Sequence, residues 1–221
     1  MKNKILVYPV SGWESDANWI YNSKCVKDIN KADVVVFPGG ADINPKLYDF
    51  NVSPYTHYND NDDKRDLKAW DKLKPNQLAV GICRGSQFLC IMNGGKLIQH
   101  VEGHAIGTTH AIRTLDVPHI ELQALSLHHQ MMYPFNLSKE DYTILYSSHC
   151  AIIIDTSTPD LNGKLLNSQF LNTCGEPEVV VFHKENKPTC LAIQSHPEMM
   201  RIDSGFVKEM NNLIVELLKE K

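Results

Sequence analysis

No stretch of this chain approaches the ~20 consecutive apolar residues needed to cross a bilayer, so no membrane partner is expected. The segment Met1–Val10 has a basic start but too short an apolar run for a secretory signal. It reads better as a first strand. The six cysteines, at 25, 83, 90, 150, 174 and 190, show neither CxxC spacing nor the density of a disulfide scaffold. A reducing, cytoplasmic setting fits them. A surplus of positive charge is missing too: the net charge of −4 gives no electrostatic reason to expect nucleic acid as a partner. Repeats, low-complexity tracts and interdomain linkers are absent, so residues 1–221 are read as one domain. A chain of that length can bury one sizeable core.

Short β-like runs recur at Ile5–Val10, Asp33–Phe37, Gln77–Ile82, Tyr142–Ser147, Ala151–Asp155, Glu178–Phe182 and Thr189–Gln194. Several are almost wholly apolar, as strands buried on both faces should be. Helical patterns fall at Asp63–Leu73, Gly85–Met92 and Ser204–Lys221, the last with either Asp203 or Ser204 as N-cap. Strands alternating with helices predict an α/β three-layer sandwich around a mostly parallel central sheet. In such sheets ligands bind beyond the carboxyl ends of the strands. The polar stretch 156–174 reads as a surface excursion and 51–62 as a loop.

The run Leu78-Ala79-Val80-Gly81-Ile82-Cys83-Arg84-Gly85-Ser86-Gln87 is the most informative part of the chain. An apolar strand leads into a glycine-flanked Cys83 and then into a helix-compatible segment, the pattern of a nucleophile elbow. A thiol at a helix start gains from the positive end of the helix dipole, which favours its thiolate. Downstream, Gln194-Ser195-His196-Pro197-Glu198 follows another apolar run. Cys83, His196 and Glu198 then form a nucleophile, a base and an orienter. In an extended segment, side chains two apart point the same way, and Pro197 stiffens the backbone between them. The chemistry these residues predict is a cysteine-dependent attack on an amide.

Six motifs, in order, resemble those of the class I glutamine amidotransferase-like superfamily, and more narrowly its free-standing γ-glutamyl hydrolases of the γ-glutamyl-γ-aminobutyrate hydrolase type. They are Pro38-Gly39-Gly40-Ala41-Asp42 with Pro45 and Tyr48; Arg65-Asp66; the elbow Gly81–Gln87; Gly94-Gly95-Lys96-Leu97-Ile98-Gln99; Ser126-Leu127-His128-His129-Gln130; and Gln194–Glu198. Trp70 departs from the pattern, standing where an acidic residue is common. The resemblance implies a flavodoxin-like fold and a reaction in which the Cys83 thiolate attacks a γ-glutamyl amide to form a thioester. His196 would move the protons and Glu198 would hold its ring. It further implies an oxyanion hole from the backbone N–H groups of Arg84 and Gly40, with Gly39 in reserve. Gln87, His129 and Gln130 would line the pocket, and the Arg84 side chain is a weaker candidate for drawing in a carboxylate. Asp42, Arg65 and Asp66 would hold the oxyanion loop and its neighbouring helix rather than touch substrate.

The remaining cysteines are read as small buried hydrophobes. The histidines at 100, 104, 110, 119, 128 and 129 match no compact zinc spacing and have no cysteine among them. They are read as loop and pocket polarity, so neither a metal nor any other cofactor is expected. The expected ligand is a small γ-glutamyl compound or glutamine. If glutamine, the chain would be a glutaminase subunit passing ammonia to a separate synthase. A dienelactone-type α/β hydrolase shares the Gly-x-Cys-x-Gly elbow but orders its triad with the acid before the histidine. A binding module descended from an enzyme would be expected to have lost Cys83 or His196. A homodimer is compatible with the sequence.

Overall fold

A computed structural model describes residues 4–220. Residues 1–3, at the start of the expected first strand region, and Lys221, at the end of the expected last helix, lie outside the described residues. Nine strands form one sheet. Its parallel half comprises β1 (Ile5–Pro9), β2 (Ser23–Cys25), β3 (Val34–Phe37), β4 (Leu78–Ile82) and β13 (Cys190–Ile193), ordered β2-β1-β3-β4-β13. The antiparallel half continues outward from β13 through β12 (Glu176–Phe182), β10 (Tyr142–Ser148), β7 (Thr108–Arg113) and β8 (Glu121–Ser126). Two small antiparallel pairs lie outside it: β5 (Lys96–Ile98) with β9 (Met131–Tyr133), and β6 (His100–Glu102) with β11 (Ile153–Asp155).

Alternation along the central strands builds the layers. Val34, Val36, Leu78, Val80, Ile82, Val179, Val181, Leu191 and Ile193 share one core with Phe206, Val207, Met210 and Ile214 of α4 (Gly205–Lys219). Their neighbours Val35, Phe37, Ala79, Val180, Phe182, Cys190 and Ala192 pack on the other face, against α1 (Asp60–Trp70) and α2 (Arg84–Met92). A strand covered on both faces can read as a continuous apolar run, which is why these strands were visible in the sequence. The N-cap of α4 is Ser204, whose side chain accepts from the Val207 N–H. Trp70 packs its ring against Phe37 and Phe88, so the departure from the acidic pattern is a core contact.

The α/β architecture with a parallel sheet at its centre is the one expected. The antiparallel half was only partly visible. β7 and β8 are half-exposed and polar, and the small strands β2, β5, β6 and β9 are three residues each, too short for a period to show. The stretch 156–174 is less of an excursion than expected. It ends in α3 (Gln169–Cys174), which buries Leu171, and it hydrogen-bonds back to Asp49 and Asn51.

The turn from β4 into α2 leaves its two glycines less room for a side chain than any other described glycine has. A Cβ added at Gly85 would lie 2.1 Å from the Phe37 carbonyl oxygen, and one at Gly81 would lie 2.4 Å from the Gly85 carbonyl oxygen. Both obstacles are backbone, which cannot rotate aside. Replacing an ordinary helical glycine by alanine stabilises by up to ~1 kcal/mol. Here Gly85→Ala is expected to destabilise by about 3 kcal/mol or more, measured by urea denaturation of parent and variant. A gain in stability would show that the elbow is not packed this way.

Candidate active site

β3, β4 and β13 are adjacent and parallel, with Phe37 opposite Gly81 and Ile82 opposite Ile193. The residues leaving their carboxyl ends therefore emerge side by side: Pro38-Gly39-Gly40 from β3, Cys83 from β4 and Gln194-Ser195-His196 from β13. The Cys83 N–H donates to the Ile193 carbonyl at 2.8 Å, carrying the ladder one residue past the strands. Cys83 itself sits at φ 50°, ψ −109°, in a region that L-residues occupy only when the surrounding structure forces them. Its carbonyl accepts from the N–H groups of Ser86 and Gln87 and from the Ser86 hydroxyl, so the first turn of α2 clamps the strained residue in place.

His196 Nδ1 lies 2.7 Å from Glu198 Oε1, which leaves Nε2 for the thiol, and Cys83 is close enough to favour the charged ring. Burial works against the charged imidazolium. The interactions with Cys83 and Glu198 outweigh it and hold the His196 pKa up at about 10. The two residues separated by Pro197 thus meet as the sequence implied. Gly39 is the close neighbour of this pair: a Cβ there would lie 3.2 Å from His196 Cε1 and 3.9 Å from Cys83 Cβ. Arg84 is the first residue of α2, and its N–H has no helical carbonyl four residues back to bond.

Two cavities meet at this point. One, of about 310 Å³, is lined by Gly40, Asp42, Cys83, Gln87, His129 and Gln130 among others. The other, of about 380 Å³, is lined by Ser11, Trp13, Asp16, Gly39, Gly40, His196 and Glu198 among others. Gln87, His129 and Gln130 are thus brought to the wall of the cavity that the thiol faces. The Gln87 Nε2 donates to the Gln130 carbonyl at 3.0 Å. Asp42 Oδ1 lies 3.0 Å from His129 Nε2, and this bond raises the His129 pKa against the effect of burial. Gln130 Nε2 donates to the Thr56 hydroxyl, whereas its buried Oε1 has no hydrogen-bond partner among the described residues.

Two expectations need correction. The Arg84 guanidinium is not available to a ligand carboxylate: it is 1% exposed and ion-paired to both Asp63 and Asp66 of α1. Asp66 also accepts from Arg65, and Asp42 accepts from the His57 N–H at 2.7 Å, so these acids do hold the loop and helix. His104, His110 and His128 are not loop polarity. They are buried together around Glu176 and Glu178, two carboxylates that the sequence pattern alone does not single out within an otherwise apolar strand. A charged residue within such a run was the available signal.

A family model for Peptidase C26 matches residues 20–198. The chain is 28% identical over 216 residues to the glutamine amidotransferase-like protein YvdE of Lactococcus lactis subsp. lactis (strain IL1403), an alignment spanning 93% of this chain and 79% of that one. Among solved structures, a Thermoplasma acidophilum protein assigned to GMP synthase superposes with a TM-score of 0.59 at 15% identity, covering 100% of this chain and 96% of its own. That likeness speaks for the fold alone. With the matched segment running through the Pro-Gly-Gly loop, the Cys83 elbow and the His-Pro-Glu turn, the chain belongs to the Peptidase C26 family of class I glutamine amidotransferase-like proteins, cysteine-dependent amidohydrolases.

Proposed function

We propose that this protein hydrolyses the γ-glutamyl amide bond of a small substrate, with Cys83 as nucleophile, His196 as general base and acid, and Glu198 as orienter. The observation that carries the reading is the strained Cys83 at the mouth of a small polar cavity, beside a histidine whose Nδ1 is held by Glu198. The thiolate sulfur attacks the amide carbon, forming a C–S bond and pushing the carbonyl electrons onto oxygen. The oxyanion donors are the N–H groups of Arg84 and Gly40, with Gly39 in reserve; each such donor is typically worth about 3 kcal/mol in the barrier. As the C–N bond breaks, His196 gives its proton to the leaving amine. It then takes a proton from water, which cleaves the thioester and frees the glutamyl carboxylate.

The cavity chemistry suits an amino-acid head group. Gln130 offers an unspent buried acceptor for an α-ammonium group, and His129, its pKa raised beside Asp42, offers a partner for an α-carboxylate. Gln87 backs both through the Gln130 carbonyl. At about 310 Å³ the space is at the low end for ligand pockets. The second cavity, beyond His196, would take the leaving amine. The description of the Lactococcus relative as glutamine amidotransferase-like supports a second reading, a glutaminase delivering ammonia to a separate synthase.

Glutamate release from γ-glutamyl-γ-aminobutyrate, γ-glutamyl-p-nitroanilide, a di-γ-glutamate and glutamine separates the two readings. Preference for a γ-glutamyl amide is expected; cleavage of glutamine alone, or activity only with an added synthase, would favour the second. Cys83→Ala should lower kcat/KM by ~10⁴-fold or more with folding unchanged, and activity equal to the parent would refute the mechanism. The pH profile gives a further check. Because the His196 pKa is raised to about 10, the proton for the leaving amine is present below that pH and lost above it. Activity should fall on an alkaline limb near that value. In Glu198→Gln one of the partners raising the pKa is gone, so the limb should move to lower pH, with a smaller loss of kcat/KM than in Cys83→Ala. An unmoved limb would remove Glu198 from the role of orienter.

A further inference from the structure

Behind the wall of the Cys83 cavity, three side chains that the proposed reaction does not use converge on one point. His104, His128 and Glu178 are each 3% exposed or less, and a potential ligand atom from each lies within 4.8 Å of the other two. His104 Nδ1 is 3.5 Å and His128 Nε2 is 3.6 Å from Glu178 Oε1. Ligands around a tetrahedral zinc ion, at about 2.0–2.2 Å from the metal, stand roughly 3.3–3.5 Å from one another. Those two separations are too long for good hydrogen bonds and close to that edge length.

The protons point the same way. His128 Nδ1 lies 2.9 Å from the Gln130 carbonyl oxygen. That atom only accepts, so Nδ1 carries the hydrogen. With that hydrogen on Nδ1, Nε2 is the ring nitrogen that faces the Glu178 carboxylate. Nε2 is buried and without a hydrogen-bond partner among the described residues. His104 repeats the pattern. Its Nε2 lies 3.0 Å from Glu176 Oε2, another acceptor, so in the neutral ring Nδ1 is the lone-pair nitrogen. The Ser126 hydroxyl lies 3.3 Å from Nδ1 while its hydrogen is donated to the His104 carbonyl oxygen, so it does not act as a donor toward Nδ1. Glu178 Oε1 already accepts from the Ser148 hydroxyl at 3.3 Å and faces His110 Nε2 at 3.0 Å, so the two nitrogens at 3.5 and 3.6 Å are in excess around it, an arrangement that a cation between them would stabilise.

We propose that His104 Nδ1, His128 Nε2 and Glu178 Oε1 bind a divalent transition-metal ion, zinc by the chemistry of two imidazoles and a carboxylate. The supporting groups needed around such ligands are in place. Glu176 orients His104, the Gln130 carbonyl orients His128, and the Ser195 hydroxyl donates to the free Glu178 Oε2 at 3.1 Å. His110, with Nε2 3.0 Å from Glu178 Oε1, is the nearest side chain for a fourth position, after a small shift of its ring. The ion would be structural. β7 is registered with β10 at the single pair Ser147–Arg113, whereas the ligands come from the segments before β7 and after β8 and from β12. One ion would therefore staple the outer hairpin to the centre of the sheet and stiffen the wall that carries His128, His129 and Gln130. The sequence hid this site because its ligands are scattered across 104, 128 and 178, without the close pairs that mark zinc motifs.

The test uses the full-length protein stripped with a chelator, then titrated with Zn²⁺ and, for a spectroscopic signature, with Co²⁺. The parent is expected to bind one ion per chain, to show the visible absorption of low-symmetry Co²⁺ and to gain ~5 °C or more in melting temperature with saturating Zn²⁺. Cys83→Ala should behave identically, which separates this site from the thiol and His196. His128→Gln and Glu178→Gln should each lose the bound ion and the thermal shift. The proposal is overturned if the parent binds no ion, if binding survives His128→Gln, or if it disappears in Cys83→Ala. Should either variant fail to fold, binding by the parent and by Cys83→Ala still decides.

Discussion

The parallel pairing of β3, β4 and β13 is the constraint on which the rest of this molecule depends. Parallel strands in register end at the same level, so three loops far apart in sequence begin within reach of one another. No long-range loop has to search for its partner. The hydrogen bond from Cys83 to the Ile193 carbonyl extends the ladder into the site itself, so the thiol-bearing residue is positioned by the same interaction that builds the core. A one-residue slip between β4 and β13 would move the whole His-Pro-Glu turn relative to the thiol and turn the apolar side chains to the opposite faces. Selection against that slip comes from the core, where Val80, Ile82, Leu191 and Ile193 are essentially fully buried.

Holding Cys83 in its strained conformation requires something to oppose relaxation. Two devices do so. The glycines at 81 and 85 let the strand, the helix start and the Phe37 backbone approach to distances no side chain would permit. On the helix side, Arg84 is buried between Asp63 and Asp66, tying the residue after Cys83 to α1. Such a pair adds little net stability compared with an apolar replacement, yet losing one partner leaves an uncompensated buried charge. Its value here is directional. It fixes where α2 begins, and with it the direction of the Arg84 N–H. In the sequence this guanidinium reads as a candidate for a ligand carboxylate; the interior has already claimed it.

The parts of the fold that were legible from sequence are those that a single physical signal dictates. Wholly apolar runs gave the central strands, and the 3.6-residue stripe from Phe206 to Leu218 gave α4. The placement of Cys83 and of the His196–Glu198 pair was legible because a strained turn needs glycines and an extended segment brings side chains two apart to the same side. β7 and β8 were not, since their inward positions mix His110 and Ser126 with Ile112 and Ala124, and so show no clean apolar alternation. The role of Glu176 and Glu178 was equally hidden. Within Glu176–Phe182 they look like a polar strand end, and only the fold shows histidines arriving from other segments to meet them.

That cluster is not isolated from the site. The Gln194 N–H donates to the Glu178 carbonyl at 2.8 Å, and the Ser195 hydroxyl donates to the Glu178 carboxylate, so the two residues preceding His196 are bonded to the residue that gathers the histidines. On the other side, the Gln130 carbonyl accepts from both His128 and Gln87, linking the cluster to the cavity wall. Where β13 meets β12 the sheet changes from parallel to antiparallel, and β12 therefore runs back past the site instead of ending there. That reversal brings Glu178 alongside the segment that leads into His196, with His128 on its other side. Glu178 thus holds the segment leading into His196 through its own carbonyl and through the Ser195 hydroxyl, and faces the pocket wall through the His128 imidazole. The outer half of the sheet thereby becomes a support for the chemistry that the inner half presents.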